Sequence, residues 1–334
     1  MHIFNKPCFK PAPLFRKHLS VAFLGLALLF NLGLAESADN PNSLSGTLPG
    51  TLVVTIKPLY SLLAQLTDGI VEPVLLLEQI PSAHHYNLRP SQRKLLANAG
   101  MIVWVGPAME SYLSKIIQQT DDTVAVAALS AKNLQLLQKR SQHSHDGRSF
   151  DNAVSAHEFH DIDPHIWLSS HNAIAISEHL AAALIRHDPV NRNKYEQNLS
   201  KSINKIKLTS LFMKNNLSVK NREYIAYHDA YQYIENELGL KFVDSMSFDE
   251  NAGTSLKHAR EINTLITSKN IRCLVYQAPK PAIVRTLQAQ TSINAVALDP
   301  LALDISSDKN AWFELMQQMA VNFNQCLTTD SGND

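Results

Sequence analysis

The sequence is poor in cysteine, carries no excess charge of either sign and contains none of the common hydrolase motifs. Three cysteines occur among 334 residues, and 30 Lys and Arg side chains balance 30 Asp and Glu side chains. A His-Glu-x-x-His helix, a Gly-x-Ser-x-Gly turn and a Gly-rich phosphate loop are all missing. The chain therefore offers no obvious catalytic motif.

The N-terminal segment has the layout of a secretory signal peptide. Basic residues precede an apolar run over residues 19–30, and Gly33 and Ala35 stand at positions −3 and −1 before Glu36. This pattern predicts cleavage after residue 35, with residues 1–35 as the signal peptide. A membrane anchor is the alternative, but the run is shorter than a bilayer span of about 20 residues. Residues 36–50 are rich in Asn, Ser, Gly and Pro and are expected to form a flexible lead-in.

Cleavage would change both the charge and the cysteine content. The mature chain would carry 26 Lys and Arg against 30 Asp and Glu, a balance of −4. A mildly acidic chain argues against a nucleic acid or an anionic membrane as partner. Cleavage also removes Cys8 and leaves Cys273 and Cys326. In an oxidising compartment an isolated pair favours a disulfide, although two metal-binding thiolates remain an alternative.

Strand-like and helix-like segments alternate in two blocks of the sequence, which predicts parallel βαβ units. In the first block, the predicted strands cover residues 51–56, 71–77 and 101–105, and the predicted helices cover 58–67, 89–97 and 109–119. In the second block, the predicted strands cover 223–227, 242–245, 271–276 and 295–298, and the predicted helices cover 231–238, 255–268, 281–290 and 312–326. We therefore expect an α/β fold with two lobes, residues 51–188 and residues 218–328.

The segment between the two blocks is helical. A first helix is predicted over residues 172–187, and a second from about residue 190 to residue 215 with no internal Pro or Gly. A helix of that length spans roughly 39 Å. We interpret residues 189–217 as a stiff connector between the lobes. A surface helix packed on one lobe is the alternative.

A polar stretch of the first lobe, residues 140–162, lacks apolar periodicity. It contains four histidines among acidic residues, and these are His143, His145, His157 and His160. Histidine-rich tracts are candidates for metal binding, so these residues form a possible auxiliary site. A solvated loop without a role is the alternative.

Four potential metal ligands stand where strand-like runs end. These residues are His84, His165, His228 and Asp299. Loops at the carboxyl ends of parallel strands are where α/β proteins bind ligands, so we expect the four side chains to meet between the lobes. Three imidazoles and one carboxylate suit tetrahedral Zn²⁺. Cu²⁺ or Ni²⁺ would also bind this set, whereas Mn²⁺ and Mg²⁺ prefer more oxygen.

The motifs around these ligands resemble those of the zinc-uptake periplasmic solute-binding proteins of ABC importers, the ZnuA-like receptors. The resemblance rests on five segments, which are Ser82–Pro90, Ile102–Glu110, Pro164–Ser169, Tyr227–Tyr231 and Leu298–Leu301. It implies two α/β lobes joined by a rigid helix and a zinc site made of His84, His165, His228 and Asp299. Relatives selective for manganese or iron carry a glutamate where this chain has His228, which favours zinc. The resemblance also implies a disulfide between Cys273 and Cys326.

The resemblance further implies a periplasmic receptor that delivers zinc to an inner-membrane ABC permease and its ATPase subunit, and we expect a monomer and no enzymatic activity. This chain departs from the pattern of the zinc receptors at two places. Ala83 stands where some zinc receptors have a glutamate, so an auxiliary carboxylate is missing, and the histidine-rich loop is short and sparse. A zinc-dependent hydrolase and an adhesin with a structural metal are the competing hypotheses. The hydrolase would need a general base that the sequence does not offer.

Overall fold

The computed structural model describes residues 50–80, 82–119, 124–140, 161–218, 222–247 and 254–328. The predicted signal peptide, residues 36–49 of the lead-in and residues 141–160 lie outside these ranges, and so do the four histidines of the polar loop. Within the described ranges, no helix is both long and apolar enough to cross a membrane.

Four parallel strands form the sheet of the N-terminal lobe. The strands are β1 (Thr51–Val54), β2 (Val74–Leu75), β3 (Ala99–Trp104) and β4 (Val124–Ala127), and their order across the sheet is β2-β1-β3-β4. The helices between them are α1 (Lys57–Leu66), α2 (Pro90–Ala97) and α3 (Ser111–Gln118). The central strands β1 and β3 are apolar and buried because helices cover a parallel sheet on both faces. Proline in the first turn of α1 and of α2 favours helix initiation there.

Two long helices follow the first sheet. They are α4 (Ser170–His187) and α5 (Arg192–Asn216), separated by a short 3₁₀ turn that begins at Pro189. The Ser169 hydroxyl accepts a hydrogen bond from the Asn172 amide and caps α4. The 25 residues of α5 span about 38 Å. Its buried residues recur every three or four positions, at Tyr195, Asn198, Ser202, Ile206, Thr209 and Met213, so one face packs inward.

The C-terminal lobe repeats the connectivity of the first. Its strands are β5 (Glu223–His228), β6 (Lys241–Ser247), β7 (Cys273–Tyr276) and β8 (Asn294–Ala297), all parallel, in the order β6-β5-β7-β8. Its helices are α6 (Gln232–Leu238), α7 (Leu256–Ser268), α8 (Ala282–Thr291) and α9 (Ala311–Thr328). In both sheets the first strand lies between the second and the third. The predicted two-lobed α/β architecture with a long helix is therefore confirmed.

The hydrophobic core runs through both lobes. Tyr224 and Ala226 of β5 belong to a large buried cluster that also contains the cores of β1, β3 and α9. The alternate residue Ile225 faces a smaller cluster beneath α7 and α8. Helix α5 packs against α1, α4 and α9, so it contacts elements of both lobes. The long helix therefore packs against both lobes, and it is not a surface helix on one lobe alone.

Buried side chains bond the two lobes to each other. The Trp167 indole donates to the Pro300 carbonyl at 2.8 Å, and the Trp312 indole donates to the Trp167 carbonyl at 2.7 Å. The Lys57 ammonium, at the start of α1, donates to the Ile305 carbonyl at 2.6 Å. The lobes are thus held by directional bonds as well as by apolar contact.

Two strands of the first sheet differ from the sequence expectation. The pattern does not predict β4, because valine alternates with alanine there and only Val126 of the four residues is fully buried. Of the strand expected over residues 71–77, only Val74–Leu75 is regular strand, although the Leu76 and Leu77 amides still donate to the Val54 and Thr55 carbonyls. That strand lies at the sheet edge, and Pro73 just before it has no amide hydrogen to donate.

Candidate metal centre

Three histidines from separate segments converge where the lobes meet. His84 lies in the loop after β2, His165 directly precedes a 3₁₀ turn before α4, and His228 is the last residue of β5. One ligand atom from each lies within 4.8 Å of the others. The ring centroids are 5.2, 5.9 and 5.6 Å apart, and each pair of rings meets edge to face. His228 stands at the carboxyl end of the strand between β6 and β7, which is the switch point of its sheet.

The spacing of the nitrogens matches a tetrahedral metal. His84 Nε2 and His165 Nε2 are 3.4 Å apart. Zinc–nitrogen bonds of about 2.0–2.1 Å with tetrahedral angles place two nitrogens about 3.3–3.4 Å apart. His165 and His228 are almost fully buried, with 3% and 6% exposure, and His84 is partly exposed. An ion would therefore enter from the His84 side.

Asp163 fixes the orientation of the His165 ring. Its Oδ1 lies 2.7 Å from His165 Nδ1 and accepts the His165 amide at 3.0 Å. Gln232 Nε2 donates to the other oxygen at 3.0 Å. Burial alone would raise the pKa of Asp163, but His165 and then Arg140 hold it below its ordinary value. An ionised Asp163 keeps the proton on Nδ1 and leaves Nε2 free to bind a metal.

His84 stays neutral in the metal-free site. Burial, together with the neighbouring His165 and His228, lowers the pKa of His84 from 6.5 to about 2. A neutral imidazole is the form that binds metal ions. The first histidine of the site is thus in its metal-binding form at neutral pH.

This lowered pKa predicts an acid-sensitive metal-free protein. Between pH values of 6.5 and about 2 the unfolded chain binds a proton at His84 and the folded chain does not. The free energy of unfolding therefore falls as pH is lowered through this window, by about 2 kcal/mol between about pH 8 and about pH 5. Urea unfolding in chelator should show this loss, and His84→Gln should reduce it by about that amount. The control His171→Gln, at an exposed histidine, should keep the wild-type pH dependence. An unchanged pH dependence in His84→Gln would contradict the prediction.

Asp299, the predicted fourth ligand, follows β8 but does not belong to the group of three within the described residues. Its Oδ1 accepts the Leu301 amide at 2.9 Å and its Oδ2 accepts the Leu303 amide. Burial raises the pKa of Asp299, while these two amides and Lys57 oppose the rise. A carboxylate has about four lone-pair positions, so these bonds leave capacity for a metal. Asp299 as a ligand stays a prediction.

Ala83, beside His84, is 1% exposed and offers no ligand atom, in agreement with the missing auxiliary carboxylate. Three residues that support the site are not among the predicted site residues. Asp163 could have been found, because an acidic residue two positions before a ligand histidine is well placed to bond its ring. Gln232 and Arg140 gave no such signal, since their partners lie 69 and 89 positions away. The four loop histidines lie outside the described residues.

The paired cysteines are far from this centre. Cys273 at the start of β7 and Cys326 in α9 form a disulfide with an S–S distance of 2.03 Å and a Cα–Cα distance of 5.1 Å. Strand β7 begins at the amino edge of the sheet, opposite the edge that carries His228. The predicted disulfide is confirmed, and the alternative of two metal-binding thiolates is wrong.

Comparison with known proteins agrees with the geometry. A model of the family described as ZnuA, zinc-uptake complex component A, periplasmic, matches residues 52–326. The high-affinity zinc uptake system protein ZnuA of Yersinia pestis is 28% identical over 328 residues, covering 93% of this chain and 98% of the relative. The protein of the same name from Brucella suis is 29% identical over 316 residues, covering 86% and 94%.

The solved structures show the same fold. A crystal structure of ZnuA matches with a TM-score of 0.69 at 18% identity, covering 83% of this chain and 100% of that one. With a family model that spans most of the sequence and three histidines gathered between the lobes, the chain belongs to the ZnuA family of periplasmic zinc-uptake components.

Proposed function

We propose that this protein is a zinc receptor that captures Zn²⁺ between its lobes and delivers it to an inner-membrane ABC permease and its ATPase subunit. The observation that carries the proposal is the 3.4 Å separation of His84 Nε2 and His165 Nε2, with His228 completing the group. In the proposed site, Asp299 is the fourth ligand. The family is one of uptake receptors and not of enzymes, and this argues against the hydrolase hypothesis.

The donor set explains a preference for zinc. Three neutral imidazoles and one carboxylate supply nitrogen and oxygen at tetrahedral spacing, whereas Mn²⁺ prefers more oxygen ligands. The relatives from Yersinia pestis and Brucella suis are both named for zinc uptake.

The periplasm is the family's compartment, and we propose that this chain reaches it through cleavage of residues 1–35. The disulfide between Cys273 and Cys326 supports an oxidising environment.

We propose lobe limits of residues 51–188 and 218–328 with residues 189–217 as the connector. We propose that the receptor acts as a monomer. The four loop histidines are proposed as an auxiliary site that would bind a second ion.

Native mass spectrometry of the mature protein with Zn²⁺ tests the proposal directly. We expect one tightly held zinc ion per chain and a second, weaker one if the loop histidines bind metal. Substituting His143, His145, His157 and His160 by alanine should remove only the second ion.

A deletion strain should fail to grow in zinc-poor medium and should recover when zinc is added. If the protein holds no zinc after dialysis against a weak chelator, the proposal is wrong.

A further inference from the structure

Arg140 lies at the base of the polar loop and is fixed to the segment that carries His165. Lys139 donates its amide to the Asp161 carbonyl at 2.7 Å, and the Asp163 amide donates to the Leu137 carbonyl at 2.8 Å. Gln138 and Ile162 form an antiparallel bridge between these contacts. The backbone beside Arg140 therefore has a defined position next to Asp163 in the first lobe.

From this position the guanidinium of Arg140 reaches into the second lobe. Its Nη1 lies 2.8 Å from Asp229 Oδ1 and 3.2 Å from Glu235 Oε1, and its Nη2 donates to Glu235 Oε2. Its Cζ stacks 3.9 Å from the centre of the Phe242 ring. The two carboxylate side chains are only 4% and 3% exposed, and the Arg140 side chain is 18% exposed. Buried carboxylates need such a partner, because burial without one is costly.

The ion pairs of Arg140 involve residues that support two of the ligand histidines. Asp229 directly follows His228 in the chain, and its amide donates to the Ser247 carbonyl of the neighbouring strand. Asp163, which holds the His165 ring, is fixed beside the Arg140 segment by the hydrogen bond from its amide to the Leu137 carbonyl. Glu235 also accepts the hydroxyl of Tyr224 from within β5. One planar cation thus links the end of β5 in one lobe with the Asp163–His165 pair in the other.

We propose that Arg140 is a positioning residue of the zinc site, which holds His165 and His228 in register across the two lobes. The inference rests on the proposed zinc binding. Arg140 touches neither the ion nor a ligand ring, so it acts through Asp229, Glu235 and Asp163. A fork of several N–H donors suits this task, whereas the single ammonium of lysine cannot reproduce its geometry.

The test compares Arg140→Met with Arg222→Met by competition titration of Zn²⁺ against a chelator. Arg222 stands just before β5, at the opposite end of this strand from His228. Its side chain donates to the Leu327 carbonyl, so it serves as a matched control. Arg140→Met should weaken zinc binding by about 10- to 100-fold, the usual effect of removing an outer support of a metal site. Arg222→Met should bind zinc as the wild type does. Arg140→Lys should bind with intermediate affinity, as a partial rescue of the charge.

Further variants separate positioning from simple stability. Asp229→Asn should weaken zinc binding too, and Arg140→Met should cause a smaller loss in the Asp229→Asn variant than in the wild type, because the two changes share the Arg140–Asp229 contact. If Arg140→Met does not fold, Arg140→Lys and Asp229→Asn decide the question. Wild-type zinc affinity in a folded Arg140 variant, even one with a lower melting temperature, would overturn the inference. Failure of the wild type and Arg222→Met to bind zinc would overturn the proposed function together with it.

Discussion

His228→Ala weakens zinc binding by about 100- to 1000-fold, which is the largest effect expected of a single substitution in the site. Zinc sites with four protein ligands bind with roughly 10–16 kcal/mol, so one ligand contributes about 3–4 kcal/mol. His228 is 6% exposed at the end of β5, and the space it leaves is lined by protein. Water would replace the imidazole poorly there.

Competition titration against a chelator measures this loss, and two histidines serve as controls. His258→Ala removes a side chain whose Nε2 lies 2.7 Å from the Ser245 carbonyl, away from the group of three. His143→Ala removes a histidine of the polar loop. Both variants should bind the first zinc ion nearly as the wild type does. Equal losses in His228→Ala and His143→Ala would refute the assignment of His228 as a main ligand.

Removal of the disulfide is expected to cost about 4 kcal/mol in the free energy of unfolding. The bridge joins residues 53 positions apart, and closing a loop of that length restricts the unfolded chain strongly. Urea unfolding of the double variant Cys273→Ala/Cys326→Ala, in chelator, measures the effect. Reduced wild-type protein should show a similar loss.

Zinc affinity distinguishes this effect from damage to the site. The bridge pins α9 to the amino end of β7, while the ligands lie at the carboxyl ends of the strands. The folded double variant should therefore keep its zinc affinity within about threefold, since distant sites are nearly independent. An unchanged unfolding free energy, or a collapse of zinc binding without loss of stability, would contradict the prediction.

The sequence predicts the second lobe better than the first. Strands β5, β6, β7 and β8 each contain a predicted strand or overlap one, because their apolar runs are bounded by loop residues. In the first lobe, the alternation of valine with alanine gives β4 a weak strand pattern. The edge strand β2 is limited to two residues of regular strand. Only Val126 of β4 is buried and Val74 of β2 is exposed, so these two strands carry a weaker apolar pattern than β1 and β3 do.

The sequence predicts the histidines that form the site, but it does not predict the residues that hold them in place. His84 and His228 follow apolar runs that end at the carboxyl edges of the two sheets, so their position there follows from the pattern. His165 instead follows the polar stretch and directly precedes a 3₁₀ turn, so the expectation of a strand end is wrong for this residue. The contacts of Arg140 with Asp229 and Glu235 join residues 89 and 95 positions apart. Such pairs depend on how the lobes dock, and no local periodicity encodes that docking. The place of Asp299 depends in the same way on the turn that follows β8.

The return of the last helix to the first lobe has a consequence for how the chain folds. Trp312 of α9 donates its amide to the Ser61 hydroxyl of α1, 251 positions earlier, and both residues are buried. The core of the first lobe is therefore completed by residues of α9, which is synthesised after the other described helices and strands. Contacts between such distant positions slow folding, because a long loop must close first. A chain built in this way stays incompletely folded until α9 has emerged, which suits a protein whose proposed route passes through a secretion channel in unfolded form.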